Sequence, residues 1–237
     1  MTATIFLSLA LFGPVPQGND APKPGPDTFT PDPAWKPQGK ALWFDPKERR
    51  LILRAKVSIQ DGFLEHLLCR AHTKEHESIL ATEAEPRMIH AGLLLTGAEP
   101  GHPVRFRPEF VPPAGTPIAI TLEWNAPDGT KQTTSARDWI KDQKTGKHLS
   151  DDFVFAGSIL VRDEETGKTI YGADSGDLFT VANFTNSILD LPFASSADDT
   201  SRSFLADPSR VPPKGTWVTM YLQPVKNPQT KPAPPKP

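Results

Sequence analysis

The sequence predicts a mainly β (α+β) protein with two similar β-rich halves, a few short helices and proline-rich disordered ends. Several segments alternate apolar and polar residues with a period of two, which is typical of strands with one buried face. A stretch that begins "VPPAGT" at Val111 recurs as "VPPKGT" at Val211. Of 27 prolines, eight lie within residues 14–37 and six within residues 224–237. Proline lacks an N–H and fixes φ, so we expect extended ends without regular structure.

The first half is predicted to begin with two strands joined by a tight turn. Residues 51–59, "LILRAKVSI", alternate apolar and polar side chains. The Asp-Gly pair that starts at position 61 favours a hairpin turn, because both residue types can adopt positive φ. Residues 63–69 would then form the returning strand. A helix is expected after them, because Pro86 suits a first helical turn and Gly97 suits a helix end.

The pattern continues with a second hairpin and further short elements. Residues 116–124, "TPIAITLEW", predict a strand, and residues 131–135 its return. Ser135 with Asp138 resembles a capping box, which predicts a short helix. The remaining predicted elements are strands at 153–161, 169–173 and 177–184, one helical turn at 186–192, and an alternating strand after "VPPKGT".

The chain organisation follows from these elements. The apolar run from Ala3 to Phe12 is too short to span a bilayer. It fits the hydrophobic region of a secretory signal, although no Lys or Arg precedes it, and predicts a periplasmic or secreted location. The predicted segments are a signal peptide at 1–18, a proline-rich linker at 19–40, a β-rich domain at 41–225 with pseudo-repeats at about 41–134 and 150–225, and a disordered tail at 226–237.

Composition limits the classes of partner and cofactor. Lys and Arg number 26 against 28 Asp and Glu, a net charge of −2, which argues against nucleic acid as a partner. The predicted export leads us to expect an envelope protein or cell-surface partner. The single cysteine, Cys69, excludes a disulfide within the chain and a multi-cysteine metal cage. The sequence indicates no cofactor.

Residues 69–80, "CRAHTKEHESIL", hold the strongest concentration of reactive side chains. His76 and Glu77 could bind a metal ion if folding brings His90 to them. Ser78 could act as a nucleophile with His76 or His90 as its base, but the G-x-S-x-G turn that presents such a serine is absent. We favour a hydrogen-bonded loop cluster with no complete catalytic constellation, and therefore a protein that is not an enzyme.

Several stretches together resemble the YdjY-domain family of bacterial envelope or secreted proteins, which are frequent in planctomycetes. The resemblance implies a shared fold and an extracytoplasmic location, and names no reaction. His76, Glu77, Ser78 and His90 match its pattern, whereas His72 stands where a glycine is expected. The stretches are "LLCRAHTKEHESILAT", "IHAGLLLTGAEPG", "FVPPAGTPIAITLEW", "FVFAGS", "YGADSGDL", "NSILDLPFASSAD" and "VPPKGTWVTMYL".

The sequence thus predicts an exported or envelope-associated binding or structural module. Two alternatives stay open at this point. One is a metal-associated module that uses His76, Glu77 and His90. The other is a hydrolase with Ser78 as its nucleophile.

Overall fold

The computed structural model describes residues 23–196 and 203–225. The predicted signal peptide, the first residues of the linker and the predicted tail lie outside the described residues. The strands are β1 (Lys36–Pro37), β2 (Leu42–Asp45), β3 (Arg50–Val57), β4 (Gly62–Leu64), β5 (His66–Arg70), β6 (Ser78–Thr82), β7 (Pro100–His102), β8 (Ala114–Gly115), β9 (Pro117–Asn125), β10 (Lys131–Ser135), β11 (Ile140–Asp142), β12 (Phe153–Phe155), β13 (Leu160–Arg162), β14 (Thr169–Tyr171), β15 (Asp177–Thr180), β16 (Leu189–Asp190), β17 (Phe204–Ala206) and β18 (Trp217–Pro224). The helices are α1 (Pro86–Thr96) and the 3₁₀ helices Glu75–Glu77, Ala136–Trp139 and Gly172–Ser175.

Eight of the strands form a closed ring, which confirms the mainly β prediction. Their order is β3, β18, β9, β12, β16, β15, β5 and β6, and β6 pairs with β3 to complete the circuit. Two neighbouring pairs, β15 with β16 and β5 with β6, are parallel, and the others are antiparallel. Closure leaves the ring without a free edge, so every strand in it has two hydrogen-bonded neighbours.

The strand registers relate the two halves by a local two-fold symmetry. Strands β9 and β18, which carry the echo at an offset of 100 residues, lie side by side, and Thr121 pairs with Tyr221 at that same offset. The two copies of the shorter echo, "ESIL" and "NSIL", also occupy equivalent positions in the ring. Leu80 of β6 pairs with a residue of β3, and its counterpart Leu189 of β16 pairs with a residue of β12. On the opposite side of the ring Leu68 pairs with Phe179.

Helix α1 covers one side of the ring and ends as the sequence predicts. Pro86 lies in its first turn, and Gly97 follows its last residue with a left-handed φ of 88°. Gly92 permits a close approach to the sheet, because a Cβ there would lie 2.4 Å from a methyl group of Leu51. Ile89 and Leu93 of the helix are fully buried. No helix in the described part of the chain is long and apolar enough to cross a membrane.

Three local predictions were wrong, two because of strand pairing and one because of the local backbone conformation. The Asp-Gly turn at position 61 does not make a hairpin, because β3 pairs with β2, β18 and β6, while β4 pairs with β17. The single strand predicted at 153–161 is two strands, interrupted where Gly157 and Ser158 adopt φ of 89° and 63°. Residues 186–192 contain the strand β16 in place of a helical turn. The hairpin of β9 and β10 and the helix after Ser135 are confirmed.

The linker prediction also needs correction for residues 26–38, which contact the sheet. Asp27 forms an ion pair of 2.6 Å with Arg54 of β3. The ring of Phe29 lies 5.2 Å from that of Trp43, and β1 pairs with β2. Aromatic and charged side chains thus supply the contacts that a proline-rich backbone cannot make through its own N–H groups.

Candidate functional site

A buried hydrogen bond joins the two halves of the ring near the local two-fold. His66 begins β5 and Asp177 begins β15, and Nε2 of His66 lies 2.9 Å from Oδ1 of Asp177. The registers of β5 and β15 are irregular here, with Cys69 opposite Asp177 and Thr180 opposite His66. Leu68 and Phe179 are 111 residues apart in the sequence. Adding the same 111 residues to His66 and Cys69 gives Asp177 and Thr180, so this offset converts one pair into the other. Each half therefore contributes one member of the His66–Asp177 pair from an equivalent position.

Two glutamates and a lysine surround this pair. A ring nitrogen of His66 and one carboxylate oxygen each of Glu65 and Glu77 all lie within 4.8 Å of one another. The ammonium of Lys74 is 3.7 Å from Glu77 and 3.9 Å from Oδ1 of Asp177. We call Glu65, His66, Lys74, Glu77 and Asp177 the junction cluster. In the described residues Glu65, His66 and Glu77 are the one group of three or more His, Cys, Asp and Glu side chains that converges in this way.

Strand pairing explains why the two glutamates meet. Glu65 lies between β4 and β5, and its amide donates to the carbonyl of Glu77, which ends the 3₁₀ helix before β6. Because β5 and β6 are parallel, with His66 opposite Ser78, the residues that precede both strands lie side by side. Two carboxylates are thereby held at one end of the strand pair.

The electrostatics of the cluster favour a cation. Burial raises the pKa of Glu65, and the neighbouring carboxylate of Glu77 raises it further. Burial alone would also raise the pKa of Asp177. Hydrogen bonds from His66 and Ser175 and the charge of Lys74 more than offset this, and lower the pKa of Asp177 to about 2. Asp177 is therefore ionised at neutral pH, and the carboxylate of Glu77 disfavours the charge of Glu65.

His66 has one ring nitrogen with no partner. Its side chain is fully buried, and Nδ1 has no hydrogen-bond partner among the described residues. The imidazole is stacked on the ring of Phe184, with centroids 5.6 Å apart and planes 4° from parallel. Buried polar atoms are nearly always hydrogen-bonded, so an orphaned nitrogen indicates a partner outside the described residues.

The structure separates the residues that the sequence singled out. His76 is 76% exposed, and its recorded ion pair is with Glu77, at 3.6 Å. Ser78 is fully buried and donates to the carbonyl of Lys74 at 2.7 Å, so its hydroxyl is not presented to solvent. Cys69 is buried as well, and burial raises the pKa of its thiol. Of the residues predicted to form a site, Glu77 alone belongs to the junction cluster.

His90 lies in a different place, in an open pocket of about 430 Å³ beside α1. Its Nδ1 is 2.8 Å from the hydroxyl of Tyr171, and its ring meets that of Phe155 edge to face. Arg87, one turn before it on the helix, lies over the ring of Tyr171 and binds Asp174. The pocket thus gathers α1 with the ends of β12 and β14.

The hydrogen bonds around His90 favour one tautomer. The hydroxyl of Tyr171 lies 3.3 Å from the carbonyl of Gly157, which can only accept, so the hydroxyl proton points there. The tyrosine oxygen then accepts a hydrogen bond from the Nδ1–H group of His90. Burial lowers the pKa of His90, which favours the neutral ring. In that form Nε2 is a hydrogen-bond acceptor.

An unusual backbone forms the floor of this pocket. Gly157 and Ser158 both have left-handed φ, and a serine adopts that conformation only when its surroundings compensate the strain. Here the hydroxyl of Ser158 donates to the carbonyl of Asn186 and accepts from the amide of Ala173. Asn186 in turn lies 3.4 Å from Oδ2 of Asp177, so the pocket and the junction cluster share one hydrogen-bonded network.

Sequence reasoning did not select Glu65, His66, Arg87, Tyr171 or Asp177 as site residues. The internal echoes have offsets of 100 and 109 residues, so they do not map His66 onto Asp177; the offset of 111 appears only in the pairing of β5 with β15. Only the pairing of distant strands brings these residues together.

The closed ring and its polar junction define a mainly β domain of two similar halves. A family model described as the YdjY domain matches residues 42–223, and the chain belongs to the YdjY-domain family. The comparison with curated proteins found no match, and the comparison with solved structures found none either.

Proposed function

We propose that this chain is a binding module that acts outside the cytoplasm, in the periplasm or after secretion, and that its ligand occupies the pocket at His90. The observation that carries the proposal is the His90–Tyr171 pair at an open pocket of about 430 Å³. Small-molecule sites commonly have volumes of about 300–1,000 Å³ and a few placed polar groups on an apolar wall. The apolar residues Pro100, Ala156 and Leu160 supply such a wall here.

The polar groups of the pocket suit a ligand with a donor beside an acceptor, as an amide has. Neutral His90 offers an accepting nitrogen. Arg87 binds Asp174 through Nε and Nη2, which leaves Nη1 for a ligand carbonyl. An N-acetylated sugar and a peptide both carry this donor–acceptor pair, and both occur in polymers of the bacterial envelope.

Histidine NMR tests the binding proposal. The ring resonances of His90 are followed while N-acetylglucosamine, or in a second arm N-acetylated dipeptides, are added to the purified chain. We expect saturable shifts with one class of probe and their loss in His90→Gln. His102→Gln, at a half-buried histidine that does not line the pocket, is the matched control. Absence of saturable shifts with both probes would contradict the proposal.

Cell fractionation tests the location. The short apolar run at residues 3–12 supports export through a cleaved signal. Mass spectrometry of the natively produced protein should find an N-terminus near residue 19 and the chain outside the cytoplasm. A full-length chain retained in the cytoplasm would refute this part.

Two alternatives have their own tests. A metal-associated module that uses His76, Glu77 and His90 requires a stoichiometric metal that is lost in His76→Ala. A hydrolase requires labelling of Ser78 by a fluorophosphonate probe. The burial of Ser78 and the exposure of His76 give these alternatives less support than the His90 pocket receives.

A further inference from the structure

We propose that the junction cluster binds a divalent transition-metal ion such as Zn²⁺, held by Nδ1 of His66 and the carboxylates of Glu65 and Glu77. This site differs from the His90 pocket and does not depend on it. It also differs from the set predicted from the sequence, with which it shares only Glu77.

The distances suit one ion after a small adjustment. Zinc binds nitrogen and carboxylate oxygen at about 2.0–2.2 Å, so two tetrahedral ligands lie about 3.4 Å apart. A ring nitrogen of His66 and one carboxylate oxygen of each glutamate lie within 4.8 Å of one another. Glutamate side chains have three rotatable torsions, and Glu77 is 21% exposed at its side chain. Rotation of the two glutamates can close the remaining gap while the buried imidazole stays in place.

The unpartnered Nδ1 of His66 is the observation that points to a bound ion. Nε2 is already bonded to Asp177 at 2.9 Å, which leaves Nδ1 as the nitrogen that can coordinate. Metal-binding histidines usually donate their other ring N–H to a carboxylate, which fixes the tautomer and orients the ring. The Asp177–His66 pair has this arrangement, with stacking on Phe184 as a second restraint on the ring.

The charge of the cluster also fits a cation. Three carboxylates, those of Glu65, Glu77 and Asp177, face the single ammonium of Lys74. Lys74 is 35% exposed at its side chain and 3.7–3.9 Å from its partners, so it can move toward solvent when an ion enters. A mixed nitrogen and oxygen donor set favours zinc or a similar transition metal over Ca²⁺ and Mg²⁺, which prefer oxygen alone.

The test is a metal titration of the untagged full chain after treatment with a chelator. Zn²⁺ is added in competition with a chromophoric chelator, and Co²⁺ is added separately to record its visible absorption. We expect one equivalent of Zn²⁺ to bind, and affinity to fall at least about tenfold in Glu65→Gln and in Glu77→Gln. Asp177→Asn should weaken binding about 10–100-fold, as is usual for the carboxylate behind a metal-binding histidine.

Matched controls separate this site from other histidines. Glu75→Gln changes a glutamate of the same 3₁₀ helix that bonds the amide of His72, and should leave Zn²⁺ affinity unchanged. His76→Ala should also leave it unchanged. Circular dichroism establishes that each variant is folded, and the half-exposed Glu65 keeps the test valid if His66 variants do not fold. The proposal is overturned if Zn²⁺ does not bind below millimolar concentration, or if His76→Ala abolishes binding while Glu65→Gln does not.

Discussion

Asp177→Asn tests whether the ionised carboxylate of the junction cluster stabilises the fold. Asp177 is nearly fully buried and accepts hydrogen bonds from Ser175 at 2.7 Å and His66 at 2.9 Å. These bonds lower its pKa from 3.8 to about 2. That difference corresponds to at most about 2.4 kcal/mol, and solvent screening on the side of half-exposed Lys74 reduces it to about 1.5 kcal/mol.

The sign of the pH dependence follows from the lowered pKa. A carboxyl whose pKa is lower in the folded state stabilises the fold at every pH above 3.8, its pKa in the unfolded chain. That stability is lost as the pH falls through the folded value of about 2. The wild-type chain should therefore lose about 1.5 kcal/mol between pH 4.5 and pH 2 that the Asp177→Asn variant does not lose.

Urea unfolding, followed by circular dichroism at half-unit pH intervals, measures both effects. We expect Asp177→Asn to lower the free energy of unfolding by about 1.5 kcal/mol at pH 7, with the difference shrinking toward pH 2. Asp174→Asn is the control, since that carboxylate belongs to a surface pair with Arg87 and should cost less than about 1 kcal/mol. Parallel stability curves for wild type and Asp177→Asn down to pH 2.5 would refute the electrostatic argument.

Three further substitutions test the fold itself. His72 has a φ of 65°, so His72→Gly should stabilise the chain by about 0.5–1 kcal/mol in thermal unfolding; destabilisation would show that the imidazole contributes more than the strain costs. Gly92→Ala should cost about 1–2 kcal/mol despite better helix propensity, because Leu51 fills the space; a higher melting temperature would contradict this. Asp27→Asn should cost about 1–2 kcal/mol and speed proteolysis near the N-terminus, since it leaves the buried guanidinium of Arg54 without its charge partner; unchanged proteolysis would show that this segment is held by other contacts.

His72 shows how a sequence expectation can acquire a physical reason. The family resemblance places a glycine at this position, and the structure gives His72 a left-handed φ of 65°. Glycine adopts that conformation at no steric cost, whereas other residues pay for it. The expected glycine therefore reflects the turn between β5 and the following 3₁₀ helix.

Local sequence patterns correctly predicted those elements that depend only on residues close by in the sequence. Alternation gave β3, β9 and β18, while Pro86 and Gly97 marked the ends of α1. The internal echo indicated two similar halves, and the pairing of Thr121 with Tyr221 reproduces its offset. These features could be predicted because periodicity, helix ends and turn preferences are set over a few residues.

The candidate site could not be predicted in the same way. The sequence directed attention to His76, Glu77, Ser78 and His90, which are adjacent or share a histidine-rich stretch. The junction cluster instead joins residues 65–66 to residue 177 through the irregular pairing of β5 with β15. The high density of polar residues in this stretch of the sequence therefore pointed to Glu77, but it could not show which residues lie beside Glu77 in the fold.

The sequence by itself determined most of the segments that extend, where α1 begins and ends, and the echo between "VPPAGT" and "VPPKGT". Only the tertiary structure decided which strands pair, since closing the ring satisfies strand edges that no local pattern addresses. Because of that closure, the Asp-Gly turn at position 61 connects two strands, β3 and β4, that pair with other strands and not with each other. The same closure brought His66 to Asp177. The physical reason is that strand pairing joins residues over a hundred positions apart, whereas propensity acts only between neighbours.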